Sequence, residues 1–250
     1  FQMLGEIKPD LMEALGVDVV PLGMPRGMFG FKNENWKPWT TFDGTPVLVP
    51  EHFNTEPEPN GDIFLYPEGD KSVPPSGHMP KGGWYFDAIV RQEPIDDDNL
   101  DPADNLEEFG PISDSDLEYL RQEAERLYTE TDKAIFGSFG GTSFGDIALV
   151  PGMQLKHPKG IRDIEEWYVS TVIRKEYVRE VFERQCEIAL DNLAKIYEVV
   201  GNKVSVVFIT GTDFGMQTGP FVSPGAYRDL YQPFHRRINV RLGIYPGRHI

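Results

Sequence analysis

Residues 206–224 read VVFITGTDFGMQTGPFVSP, and the fold turns on this stretch. Val206 to Thr210 form a β-branched and aromatic run, the pattern of a buried strand. Glycines at 211, 215 and 219 then space a polar loop, and Ser223-Pro224 supplies a helix N-cap followed by proline at the first helical position. In parallel α/β folds the loop after the carboxyl end of a strand is where ligands are handled. Asp213 in that loop can accept a hydrogen bond, take a proton or fix a cation, and Gln217 can both donate and accept. Aspartate is also a common turn former, so residue type alone leaves Asp213 open between the two roles.

Working outward, strands and helices alternate. Residues 6–22, EIKPDLMEALGVDVVPL, read as a helix stopped by Gly16 and a short strand over 17–22. Residues 30–90 change character: KPWTTFDGTPVLVP (37–50) carries an Asp-Gly turn between extended runs, and DIFLYPEGD and GGWYFDAI add short strands between turns. This reads as a small antiparallel β excursion inserted in a larger α/β unit. Ser113 then caps a helix over 113–130, and DKAIFGSFG (132–140) is a strand that breaks on glycines. GGTSFGDIALVPG (140–152) reads as a loop with a short helix behind it. Helices follow over 161–170 and 174–200, the second with Tyr177, Val181, Cys186, Ile188, Leu193, Ile196 and Val200 on one stripe. The order predicts an α/β fold of parallel βα units, either an open doubly wound sheet or part of a barrel.

The 250 residues carry a net charge of −16 with no basic stripe, which disfavours a nucleic-acid or acidic-membrane partner. No run approaches the length of a membrane span, and no secretory signal opens the chain. A single cysteine, Cys186, excludes a disulfide framework within these residues and fits a reducing cytoplasm. Its place in the helical stripe marks it as a buried thiol.

The strand-end rule selects two further loops. PLGMPRGMFGF (21–31) offers Arg26 as a carboxylate or phosphate clamp, or as a solvated loop arginine. GSFGGTSFGD (137–146) offers Thr142, Ser143 and Asp146. It lacks the lysine of a phosphate loop and the spacing of a dinucleotide fingerprint. The five histidines show no metal-ligand spacing, and His157 and His235 read as surface or helix-face residues. No nucleophile elbow is present.

GTDFGMQTGPFVSPGAYRDLYQPFHRRIN (211–239) closely resembles the uroporphyrinogen decarboxylase superfamily. In that family a strand leads to an Asp-containing loop, Gly-Pro, an apolar pair, Ser-Pro and a helix ending in a basic run. LMEALGVDVVPL and FGSFGGTSFGDIALVPG are similar to its helix-to-strand entry and its second glycine-rich loop. The resemblance implies a (β/α)8 barrel of the TIM type, with residues 30–90 inserted and residues 1–250 an incomplete part of it. It implies one of two activities: cofactor-free decarboxylation of uroporphyrinogen in porphyrin biosynthesis, or methyl transfer between a corrinoid protein and a thiol or other small acceptor with zinc activating the thiol. No Arg-rich substrate motif matches and TDFGMQTG replaces the decarboxylase-type loop, so the expectation is the methyltransferase-like branch, with a non-catalytic ligand-binding barrel as a third reading. Asp213 is then the catalytic candidate, and Gln217, Thr142, Ser143, Asp146 and Arg26 the substrate-binding ones. The zinc-ligating His-x-Cys motif is missing, and the tail VRLGIYPGRHI (240–250) departs from the family pattern. No metal ligand can be named here, and the isolated chain is expected to be a fragment that is unstable or inactive.

Overall fold

The computed structural model describes residues 7–243. Helix α1 (Pro9–Ala14) stops at Gly16, whose φ of +67° no longer fits a helix, and strand β1 (Val19–Leu22) follows. The excursion comes next. Strands β2 (Lys37–Thr40) and β3 (Pro46–Val49) form the hairpin expected around Asp43-Gly44. Strands β4 (Ile63–Leu65), β5 (Gly77–Met79) and β6 (Asp87–Ala88) make a separate antiparallel sheet. The excursion has its own core, in which Phe29, Phe31, Val49, Phe53, Leu65 and Phe86 are buried together with Met153 from a later loop. Its entrance and exit meet, with the Phe29 and Phe86 rings edge to face at 6.3 Å.

Helix α2 (Asp114–Glu130) begins at Ser113, whose Oγ accepts the Asp116 N–H at 3.1 Å. Strand β7 (Ala134–Gly137), helices α3 (Ile164–Ile173) and α4 (Lys175–Val200), and strand β8 (Val204–Val207) complete the main unit. The segment behind β7 forms only turns over residues 146–152, where a short helix was expected. Asp146 explains this: its carbonyl accepts the Leu149 and Val150 N–H groups and its side chain accepts that of Ala148, closing the turns locally. After β8, strands β9 (Gly215–Met216) and β10 (Gly219–Pro220) make a tight hairpin. Helix α5 (Pro224–Ala226), capped by Ser223, passes through a π-helical turn at Tyr227–Tyr231 into α6 (Gln232–Arg241). Residues 244–250, most of the divergent tail, lie outside the described residues.

Strands β1, β7 and β8 form one parallel sheet in the order β1-β7-β8. Helices α2 and α4 pack over one face, burying Val20, Leu22 and Ile135 against Leu120, Ala124, Cys186 and Leu193. On α4 the buried stripe includes Val178, Phe182, Gln185, Ala189 and Asn192 as well as the expected Val181, Cys186, Leu193, Ile196 and Val200, with Tyr177 and Ile188 at its edge. Alternation sends Val19, Pro21, Phe136 and Val206 to the opposite face. That face is apolar and open: Val206 is 44% and Phe208 43% exposed. The architecture is mixed α/β with a three-stranded parallel sheet; eight repeats are not seen among the described residues.

Candidate functional site

The site forms where β7 and β8 end side by side. Two threonines stitch the following loops together: Thr142 Oγ1 donates to the Ile209 carbonyl, and Thr212 Oγ1 donates to that of Phe144 at 3.0 Å. The stitching sets Asp146 against the start of the second loop, with Oδ2 3.5 Å from the place a Cβ on Gly211 would occupy. Asp213 follows two residues later, exposed, and its backbone carbonyl accepts the Tyr168 hydroxyl of α3 at 2.9 Å. Tyr168 in turn stacks on Phe221, with centroids 4.9 Å apart.

The electrostatics follow from this crowding. Burial pushes the Asp146 carboxyl above its ordinary range; the Ala148 N–H opposes this and the Asp213 charge adds to it. Burial likewise pushes the Tyr168 hydroxyl up to about 12, with the charges of Asp213 and Asp146 in the same direction. The charges acting on these two groups are all negative.

Aromatic rings back the loop. Phe214 stands edge-on to Tyr227 and Tyr231, at 5.1 and 5.0 Å. The π-helical turn sets Tyr227 against His235, with Oη and Nδ1 3.3 Å apart. His235 is half-buried on a face of α6, the second of its two expected placements, and burial lowers its pKa, favouring the neutral ring. Its Nε2 is buried without a partner, as are Tyr231 Oη and Trp167 Nε1. His157 is exposed, as expected.

The other predicted residues are placed differently from one another. Thr142 is buried and acts through the stitch just described. The Ser143 carbonyl accepts a long bond from Gln185 Nε2 at 3.4 Å. Gln217 stands exposed at the tip of the β9–β10 hairpin, directed by a tight turn and not by the strand end. Arg26 spends its guanidinium on the buried Asp116 at 2.5 Å, beside a separate cleft of about 220 Å³ that includes Gly140 and Gly141. Sequence patterns single out neither Tyr168 nor Tyr227, and give His235 only as a surface or helix-face residue. Tyr168 and His235 sit within helical patterns, and the π turn that aims Tyr227 has no periodicity signal.

No group of three or more His, Cys, Asp or Glu side chains able to hold a metal exists among the described residues. Cys186 is buried in α4 with its thiol pushed up to about 11 by burial, away from the thiolate a metal needs. The zinc implied by the resemblance therefore finds no fitting ligand set there. No helix among the described residues is long and apolar enough to cross a membrane. Comparison with protein-family models, with curated proteins and with solved structures returns no match.

Proposed function

We propose that the chain forms the substrate wall of a methyltransferase-like enzyme of the uroporphyrinogen decarboxylase superfamily, built on a barrel of which β1, β7 and β8 are part. One observation carries the reading: loops after two adjacent parallel strands bring Asp146 and Asp213 together, flanked by Tyr168 and aromatic rings, with only negative charges acting on Asp146 and Tyr168. Carboxylates beside π faces favour a small neutral or cationic substrate. A tetrapyrrole decarboxylase would need cations for several substrate carboxylates. The one arginine that the sequence offered, Arg26, is already paired.

In this reading Asp146, set at the head of the second loop, hydrogen-bonds the substrate, and Asp213 orients a donor or positive centre of it. Tyr168 fixes the backbone of the Asp213 loop. Zinc and a corrinoid protein would supply thiol activation and methyl carriage in such an enzyme, and the described residues hold no ligand set for the zinc. The cytoplasm is the proposed location.

The test is calorimetric binding together with turnover. Methylated amines and methyl ethers should bind, and Asp213→Asn should weaken binding of the amine at least about tenfold, the size of one lost charge-assisted contact. Methyl transfer to small thiols in the presence of zinc and a corrinoid is expected of a complete barrel and not of residues 1–250 alone. Carbon dioxide release from uroporphyrinogen would overturn the reading in favour of decarboxylation, and tight ligand binding without any turnover by the complete barrel would favour a non-catalytic one.

A further inference from the structure

Behind the Asp146 loop lies a second polar locus. Glu108, in the segment ahead of α2, has a side chain only 8% exposed, and its Oε1 accepts Arg162 Nη1 at 2.8 Å. Its Oε2 is buried and has no partner. Trp167 of α3 is 3% exposed, and its Nε1 makes no hydrogen bond of full geometry, although the Tyr231 hydroxyl lies near enough to feel it as a donor. Both side chains line one crevice of about 20 Å³, together with Ser143, Gly145, Asp146 and Gln185. The room before the indole is reserved by Gly145, whose φ is +60° and on which a Cβ would lie 3.0 Å from Trp167 Nε1.

A buried donor and a buried acceptor, on two side chains that line one small space, define its occupant. A cation would meet the indole N–H, and an anion would meet the Glu108 carboxyl. A neutral species of one heavy atom that both donates and accepts satisfies the two groups at once. The crevice has the volume of about one such molecule, and polar cavities of that size hold water.

We infer that Glu108 and Trp167 hold a single buried water molecule, which ties the Asp146 loop to α3 and to the segment ahead of α2. The two are thereby positioning residues for Asp146, a role that rests on the reading of Asp146 given above. The crevice shares Glu108, Phe109 and Gln185 with the cleft beside Arg26, which gives water a way in.

A high-resolution crystal structure of the full chain should show a water oxygen about 2.7–3.2 Å from both Glu108 Oε2 and Trp167 Nε1. An empty crevice overturns the inference. So does an indole N–H bonded instead to the Tyr231 hydroxyl, which lies near enough to feel it as a donor. Water-oxygen relaxation dispersion should count one fewer long-lived water in Trp167→Phe than in the parent. In that variant the Asp146 carboxyl midpoint, followed by carbon NMR, should fall toward the ordinary aspartate value as the loop loosens. Asp213, the charge acting on Asp146, and Glu108, which lines the crevice with it, are both retained in the variant, as is Tyr168. A lost water with an unmoved midpoint would refute the positioning role. Neither readout involves ligand or turnover, so a failure here is separate from a failure of the proposed function.

Discussion

At the scale of single residues, Asp146 has a measurable signature. Its folded carboxyl binds protons more tightly than in the unfolded chain, because burial and the Asp213 charge disfavour ionisation. Between the ordinary aspartate value of about 3.9 and the raised folded value, the native state holds more protons, so this group's part of stability falls as pH rises. Asp146→Asn should remove that fall, so that the parent's urea midpoint declines relative to the variant's as pH rises from about 4 to 7. Asp213→Asn should lower the Asp146 midpoint in a carbon NMR titration by deleting a like charge; an unchanged midpoint would mean the two do not sense each other. Arg162 makes a larger claim. It is fully buried, pairs with Glu108 and donates to the carbonyls of Asp104 and Lys159, both at 2.6 Å. Arg162→Met strands a buried carboxyl and should cost about 3–5 kcal/mol in denaturant unfolding, whereas adding Glu108→Leu should recover much of it.

At the scale of elements, the loops and caps set the site more than the strands do. Ser113→Ala should cost about 1 kcal/mol by leaving the Asp116 N–H uncapped, and should loosen the Asp116–Arg26 pair at the head of α2. Denaturant unfolding measures the first effect. Gly145→Ala should destabilise by more than about 1 kcal/mol, because a Cβ there meets Phe182, Trp167 and Tyr231 at 3.0–3.2 Å on left-handed backbone. Several elements were legible because short-range chemistry wrote them: the Asp-Gly hairpin at 43–44, the caps at Ser113 and Ser223, and the stripe on α4. The strand-end rule likewise singled out the two loops that meet. What sequence could not give was which side chains those loops aim. Gln217 and Asp213 sit four residues apart in one glycine-rich segment, yet a two-residue hairpin turn carries one to an exposed tip and leaves the other near Asp146. Tyr168 and His235 arrive from helices by tertiary packing, which no local pattern encodes.

At the scale of the whole molecule, the helices among the described residues cover one side of the sheet only. Parallel sheets are ordinarily buried on both faces, so Val19, Phe136, Val206 and Phe208 present an apolar surface to water. The chain as given should bind a hydrophobic dye and associate as its concentration rises; Val206→Lys with Phe208→Lys should suppress both, as read by fluorescence and light scattering. The sequence predicted parallel βα units, and the sheet order β1-β7-β8 agrees with that; closure into a barrel lies beyond these three strands. The β-rich excursion has a different consequence. A segment whose last aromatic ring, Phe86, packs on Phe29 just ahead of its start, and which keeps a hydrophobic interior of its own, closes a loop without stretching the chain that carries it. Such a segment is a cassette: over evolution it could be gained, exchanged or lost at one seam, while the two stitched loops kept their carboxylates where they are.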